Sequence, residues 1–437
     1  MPVVGLDDTD SRDRGMCTTY VAVRIGERLA DMGFDVERHL LVRCNPAVEH
    51  KTRGNAALAL HVDADGYTSD ANAAARCFEV AGETIEDLAA TADGDANPGL
   101  VVADAAPDDV PDEVASFAEM AVRGHHSIED AVALAEQFEY RHRGWGNGRG
   151  RIGALAAIGA WAASDDWTYE RIAYRERSCW GTERDVDRDS VFDAAEERRP
   201  DVWDTVDRGT NTAVCVPRTP CPVLFGIRGD DPMAVESVAK SIESEPVERA
   251  VTFVTNQGTD AHLRYDPDEP LDDDQAYRLK ATVASEPETR QGGHVFVTVE
   301  RDGTAGPVTE NELPCVAFEP TKRFRDHVRR LRPGDELTVC GELSDGTLKL
   351  EKFAVRDLVE TELTTPVCPD CDRTMESAGA NQGYRCRDCG TDAPGRVELP
   401  IDRALDLGWY EVPPVARRHV AKPLVRGGFD APTHPEH

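Results

Sequence analysis

Lysine is scarce in this chain. It supplies seven of the 49 basic residues in a sequence of 437, against 82 acidic ones, and the formal net charge is −33. Long apolar runs are missing as well. The longest helix-like stretch, Ile152 to Ala163, falls well short of the ~20 residues that cross a bilayer. The opening MPVVGLDDTD has neither the cationic nor the apolar part of a secretory signal. These absences argue against a helical membrane protein and predict a soluble, cytoplasmic one. No internal repeat is visible, and a chain of this length is expected to hold about three or four domains.

So negative a charge ordinarily argues against nucleic-acid binding, because phosphates are repelled. Here, however, the acidic residues are spread along the whole chain and do not form one tail. With lysine depleted, the pattern is that of a halophilic protein from a high-salt cytoplasm. At molar salt the Debye length is about 3 Å, so repulsion at a distance is screened. Local basic clusters then carry the information. One is Arg141, Arg143, Arg149 and Arg151. The other is Lys322, Arg323, Arg325, Arg329, Arg330 and Arg332, interleaved with Phe318, Phe324 and His327. The second reads either as a solvated helix face or as a nucleic-acid contact.

Eight of the 12 cysteines are scattered. The other four, Cys368, Cys371, Cys386 and Cys389, form two C-x-x-C pairs separated by fourteen residues. A two-residue gap lets both thiolates of a pair face one ion, and four soft ligands suit tetrahedral structural zinc. Such a closed site has no open position for chemistry. This end of the chain is therefore read as a small recognition module, a zinc ribbon, and catalysis must lie elsewhere.

Hydrophobic periodicity outlines the rest. Val3 to Leu6 reads as a buried strand running into an acidic turn, Asp7 to Asp10, followed by a helix over Thr18 to Met32. Leu40 to Arg43 and Ala57 to Val62 look like strands. The acidic, Ala-rich tract from Asp63 to Glu113 reads as short helices and loops. Ser127 and Asp130 offer a capping box for a helix ending near Tyr140, and a glycine loop, Gly144 to Gly150, leads into the apolar helix Ile152 to Ala163. Strands at Thr212 to Val216, Val223 to Ile227 and Val251 to Thr255, with a helix at Pro232 to Ile242, suit a ferredoxin-like domain. Five short strands between Tyr277 and Val355, interrupted by a helix at Thr321 to Leu331, outline an OB-fold β-barrel, a common module for single-stranded nucleic acid. The Pro/Gly-rich tail from Pro413 is expected to wrap the surface or fray.

The best catalytic candidate is the acidic turn. Carboxylates at the end of a buried strand lie where open α/β sheets place ligands. Magnesium accepts one or two carboxylates together with phosphate oxygens, so Asp7, Asp8 and Asp10 suit a magnesium-nucleotide; a merely solvated turn is the bland reading. The loop GWGNGRG lacks the Gly-Lys-Ser/Thr ending of a P-loop. Its glycines Gly146, Gly148 and Gly150, with Arg149, make either a phosphate cradle at a helix start or a linker. Lys51 and Arg53 clamp a phosphate or merely decorate a turn. Thr18 and Thr19 stand where a helix begins, their bland role being capping. No histidine lies near Cys17 in sequence, and burial is its expected role.

The segments GLDDTDSRDRGMCTTY, KTRGNAA, GWGNGRGRIGALAAIGA, CPVLFGIRG and TNQGTDAHL, in this order ahead of an OB-like region and a four-cysteine ribbon, resemble the archaeal 2-agmatinylcytidine synthetases of the minor, CAU-anticodon isoleucine tRNA. The resemblance implies a multidomain α+β protein with an unusual α/β kinase domain. It implies conjugation of agmatine to C2 of the wobble cytidine, with ATP ending as AMP and two phosphates, so that the tRNA decodes AUA. It further implies Thr18 as a phosphoacceptor, and an agmatine pocket between kinase-like and ferredoxin-like domains that brings in Asp260. Expected boundaries are 1–175 for the kinase-like domain, 176–270 ferredoxin-like, 275–360 OB fold, 364–395 zinc ribbon and 396–437 a C-terminal extension. Lys322, Arg323, Arg325, Arg329 and Arg330 are the candidate tRNA contacts; ATP, magnesium and zinc are the expected cofactors. Two other classes remain open here, a non-catalytic single-strand binder and a small-molecule kinase.

Overall fold

The apolar run at the N-terminus is covered on both faces, and the first part of the molecule is built around it. A computed structural model describes residues 1–11, 15–48, 54–65, 72–265, 270–302 and 312–436. The first elements are β1 (Val3–Asp7), α1 (Thr18–Ala30), β2 (Asp35–Arg43), β3 (Ala56–Asp63), α2 (Ala73–Leu88), β4 (Gly99–Ala103), α3 (Asp112–Arg123), α4 (Ile128–Gln137), β5 (Arg141–Gly144) and α5 (Gly150–Ala163). β1 lies between β3 and β4, antiparallel to both. Side chains alternate along it: Val4 and Leu6 pack with α1 and α2, while Val3 packs with α3 and α5. Helix α5 is apolar nearly all round and buried along most of its length, as a helix trapped between a sheet and other helices must be. Its backbone comes so close to β1 that a side chain on Gly5 would strike the Ala154 carbonyl.

The chain continues through β6 (Thr168–Arg175), α6 (Arg188–Glu197), β7 (Val202–Trp203), β8 (Val206–Asp207), β9 (Thr212–Ala213), β10 (Val223–Gly229), α7 (Pro232–Ser241) and β11 (Val247–Thr255). These strands do not form a separate sheet. One nine-stranded sheet runs β5-β4-β1-β3-β2-β11-β6-β10-β7, and the join is the parallel pairing of β11 with β2 through Val254↔Leu40 and Thr255↔Leu41. Asn256 extends the join with its side chain: Oδ1 accepts the Arg43 N–H at 2.7 Å and Nδ2 donates to the Arg43 carbonyl at 3.0 Å.

Beyond β12 (Leu263–Arg264), the strands β13 (Gln275–Val283), β14 (Glu288–Thr289), β15 (Val295–Arg301), β16 (Glu312–Ala317), β17 (Glu336–Ser344) and β18 (Thr347–Asp357) follow, with α8 (Phe324–Val328) between β16 and β17. β13 pairs with β15 and β17, β15 with β16, and β16 and β17 with β18. That circuit closes a five-stranded barrel, as the sequence predicts. Past it, β19 (Thr361–Thr364) and β23 (Val397–Pro400) form a stem carrying β20 (Glu376–Ser377), β21 (Tyr384–Arg385) and β22 (Asp392–Ala393). The core of this ribbon is little more than Cys368, Met375 and Cys386. The chain returns to the barrel in β24 (Gly408–Glu411) and ends in β25 (Thr433–His434).

Three expectations need correction. The tract 63–113 hides a strand, β4, under its acidic composition; its five residues GLVVA are all buried beside β1. The glycine loop follows a strand, β5, paired with β4. The tail does not fray. Val420, Ala421 and Leu424 are buried, and the Arg417 guanidinium is ion-paired with Asp204 and with Glu411, the latter at 2.7 Å.

Candidate active site

Asp7 ends β1, and its carboxylate fits against α5 only because residue 153 is a glycine; a Cβ there would overlap it. Asp8 turns the chain in the left-handed region, φ 58°, where a residue with a side chain is strained and function is a common reason. The Asp8 N–H donates to Asp7 Oδ1 at 2.6 Å. Asp8 Oδ2 accepts from Arg149 Nε at 2.7 Å and from the Asn97 N–H at 3.2 Å. Asn97 in turn ties the acidic turn to the glycine loop. Its side-chain oxygen accepts the Asn147 N–H at 2.9 Å and its carbonyl the Gly150 N–H at 3.0 Å. Gly146 and Gly148 both take positive φ, +62° and +71°, which lets this loop fold tightly over Asn97. Thr9 Oγ donates to Thr18 Oγ at 3.2 Å, so the phosphoacceptor candidate faces the acidic turn.

Electrostatics sharpen the picture. Burial, then the neighbouring charge of Asp8, raises the Asp7 carboxyl well above the ordinary carboxylate range. Burial raises Asp8 to about 6, against the pull of Arg149. Buried carboxylates that repel one another gain from a cation, so the residues present suit a metal held jointly with phosphate oxygens.

The turn opens on a cavity of about 750 Å³. Asp7, Asp8, Asp10, Thr18, Arg149 and Gly150 line one side; Gly146 and Gly148 shape the loop behind Gly150 and are not in the wall. Lys51 and Arg53 lie outside the described residues, but Gly54 and Asn55 just after them line the cavity. The opposite side holds groups that sequence reasoning missed: Arg43, Glu170, Arg228 and His419. They come from β2, β6, β10 and the tail, and no local spacing relates them. Asn97 was missed too; its one signal is the Asn-Pro-Gly preceding the apolar run of β4.

Asp260 stands apart from the cavity wall. Both its oxygens are taken by the buried Lys352 ammonium, at 2.7 and 2.8 Å, and Oδ1 also accepts the Lys422 N–H at 2.6 Å. The carboxylate is thus engaged within the protein, between the barrel and the tail. The basic cluster of the barrel is also less uniform than its sequence. Phe324 is in the barrel core and His327 packs on Tyr410, leaving Phe318 as the exposed aromatic. Arg323 bridges to Asp207 and Glu436, and Arg325 bonds the Gly293 carbonyl. Lys322, Arg329 and Arg330 remain exposed.

The sulfurs of Cys368, Cys371, Cys386 and Cys389 lie within 4.8 Å of one another, with Cys368 and Cys389 at 3.5 Å. Tetrahedral Zn–S bonds of ~2.3 Å imply sulfur–sulfur edges of about 3.8 Å, so the four thiolates fit structural zinc.

Comparison with known proteins resolves what this architecture belongs to. Family models described as the TiaS TCKD domain, the TiaS FLD domain and the TiaS C-terminal zinc ribbon domain match residues 3–146, 148–262 and 365–405. A protein of Haloquadratum walsbyi named TiaS, the 2-agmatinylcytidine synthetase of the minor isoleucine tRNA, is 54% identical, over 100% of both chains. The chain belongs to the TiaS family. The TiaS of Methanosarcina mazei is 44% identical over 97% of each chain. A solved complex of TiaS with that isoleucine tRNA and ATP superposes with TM-score 0.87 at 39% identity, covering 100% of this chain and 99% of that one. A complex of TiaS with the same tRNA, AMPCPP and agmatine gives 0.84 at 37% identity, with the same coverage. The similarity to a Haloquadratum TiaS accords with the high-salt reading of the composition. Among the described residues no helix is long and apolar enough to cross a membrane.

Proposed function

We propose that this protein joins agmatine to C2 of the wobble cytidine of the CAU-anticodon isoleucine tRNA, consuming ATP. The observation that carries this reading is full-length similarity to proteins named for that synthesis, together with a cavity that sets a buried acidic turn beside a glycine loop and a threonine. Neither a non-catalytic single-strand binder nor a metabolite kinase accounts for both halves of that observation.

The C2 oxygen of cytosine is a poor leaving group. Phosphorylation makes it a good one: the oxygen bonds phosphorus, and the bond from phosphorus to its previous carrier breaks. The primary amine of agmatine then attacks C2, the C2–O bond breaks, and inorganic phosphate departs with the oxygen while the amine proton is lost to water. Phosphoryl transfer needs positioning and charge neutralisation above all. Asp7, Asp8 and Asp10 would hold magnesium, which would neutralise charge on the ATP phosphates; Gly150 and Arg149, joined by Lys51 and Arg53, hold the phosphates, with Gly146 and Gly148 shaping the loop behind them. Thr18 is the phosphoacceptor in a cycle that leaves AMP and two phosphates. Agmatine, a dication, is drawn to the acidic side of the cavity. The wobble base leaves the anticodon stack to enter, and Lys322, Arg323, Arg325, Arg329 and Arg330 with the ribbon hold the tRNA. The boundaries 1–175, 176–270, 275–360, 364–395 and 396–437 divide the chain by role, and the enzyme works in the cytoplasm.

The test is mass spectrometry of tRNA nucleosides after incubation with ATP, magnesium and agmatine at high potassium. The modified cytidine is expected in the CAU-anticodon isoleucine tRNA alone. Its absence with a folded, zinc-loaded protein rejects the reading.

A further inference from the structure

The side of the cavity away from the acidic turn is basic, and its charges are under-satisfied. Arg228, on β10, sits directly opposite Glu170 of β6 in the strand register. Its side chain is 9% exposed, yet its nearest acidic oxygens are Glu170 Oε1 at 3.6 Å and Asp204 Oδ2 at 4.0 Å, too long for hydrogen bonds. Arg43 shares the same carboxylate at 3.8 Å. Glu170 is itself engaged by Gln257 Nε2 at 2.5 Å, and Asp204 is ion-paired with Arg417. The Nε atoms of Arg43 and Arg228 and Nδ1 of His419 are buried without a hydrogen-bond partner. Arg43 also donates from Nη2 to Gln257 Oε1 at 3.2 Å and from Nη1 to the Gly54 carbonyl at 3.4 Å, so Arg228 is the less satisfied of the two guanidiniums that share the carboxylate, and three buried polar nitrogens are unmatched. Unmatched buried donors are costly, more so when charged, and a ligand that supplies acceptors is favoured where several face one cavity.

We infer that Arg228 and Arg43, with His419 beside them, form a second phosphoryl-binding subsite, separate from the glycine loop and acidic turn. The ligand class follows from the charge. Agmatine, a dication, is repelled there, whereas a phosphate oxyanion matches the planar forks of arginine. Burial, and then Arg43 and Arg228, push the His419 pKa well down, so its ring stays neutral and adds no competing charge. The separation follows from topology. β2 is two strands from β1 and β10 is five; at roughly 4.8 Å per strand, the backbone of Arg43 lies about 10 Å from the acidic turn and that of Arg228 farther still. One phosphoryl group cannot bridge the acidic turn and Arg228, with Arg43 on a strand between them.

This inference rests on the function proposed above, which requires a phosphoryl group on the base while nucleotide phosphates occupy the loop. The subsite takes either the phosphate that leaves the C2 oxygen or the backbone phosphate of the wobble nucleotide; both present the same oxyanion. Calorimetric titration of the full chain with inorganic phosphate, and separately with CMP, distinguishes them. It is run with AMPCPP saturating and in potassium glutamate, so that chloride does not compete. Arg228→Gln is expected to weaken one of the two ligands at least tenfold, with Arg228→Lys in between. Loss for phosphate alone marks the leaving group, and loss for CMP alone the wobble nucleotide. Should Arg228→Gln misfold by urea titration, Arg228→Lys and His419→Ala carry the comparison. Unchanged affinities for both ligands overturn the inference, as does phosphate binding that appears only when AMPCPP is left out, which would merge this pole with the ATP site. The titrations need no agmatine transfer, so a failure of the proposed reaction is read independently.

Discussion

The zinc ribbon and the cavity hold charged ligands by opposite means. In the ribbon all four ligands come from 22 consecutive residues, Cys368 to Cys389, and almost nothing else is buried. In the cavity the walls come from β1, β2, β6, β10, α1, α5 and the tail, residues that span most of the sequence. A site made by one short segment depends on its ion; a site made by distant segments depends on the packing between them. Loss of the ion should therefore destroy the first and spare the second, and loss of a packing contact should do the reverse.

The largest expected effect is on the ribbon. Cys371→Ser should release zinc and unfold that module, because metal binding supplies most of such a fold's stability. ATP turnover without tRNA should survive while tRNA binding fails; metal analysis and filter binding check this, and full tRNA modification by the zinc-free protein would break the contrast. Next is the tail. Arg417→Ala leaves Asp204 and Glu411 buried without their cation and should cost about 3–5 kcal/mol, read as a shift in the urea midpoint, with zinc content unchanged.

The acidic turn comes third. Asp8→Asn should cut magnesium-dependent ATP turnover by roughly a hundredfold or more while leaving the fold intact. Its stability should also vary with pH in a defined direction. The folded carboxyl titrates at about 6 against an ordinary 3.8, so folding disfavours its ionised form. Wild type should lose stability relative to Asp8→Asn as pH rises from 3.8 to 6, by up to about 3 kcal/mol, and the gap should stay constant above that; a gap independent of pH would contradict the assigned environment. The smallest effect belongs to the barrel surface. Arg329→Glu should weaken tRNA binding several-fold and flatten its salt dependence, without touching zinc or ATP turnover.

How much could be read in advance follows the same division. The ribbon was legible because zinc coordination depends on spacing. The barrel was legible because five alternating strands with one interrupting helix leave few closures, and the capping box at Ser127 and Asp130 is present as predicted. The acidic turn and glycine loop were visible as motifs, but their partnership through Asn97 was not, since it joins residues 8, 97 and 147. Strand β4 was obscured by acidic surroundings that belong to the surface and not to the sheet. β6 was lost in the same way within a highly charged tract. The tail misled by composition: its prolines and glycines shape an ordered path past Glu411 and Asp260, where Arg417 and Lys352 neutralise buried carboxylates. Arg43, Glu170, Arg228 and His419 had no local signature, because only the sheet order brings them together.

One consequence of the shared sheet concerns inheritance and dissection. The segments matched as separate family domains meet at residues 146 and 148, yet they are joined by a strand pairing, β2 with β11, and by helix α5, which lies past residue 148 and packs against β1. Cleaving the gene there would yield two pieces, each with a raw sheet edge whose bare amides and carbonyls invite pairing with other chains. Neither half can be exchanged or lost alone without also dividing the cavity. The two must be transmitted as one unit, and a kinase-like fragment cut at this boundary should precipitate instead of working as a smaller enzyme.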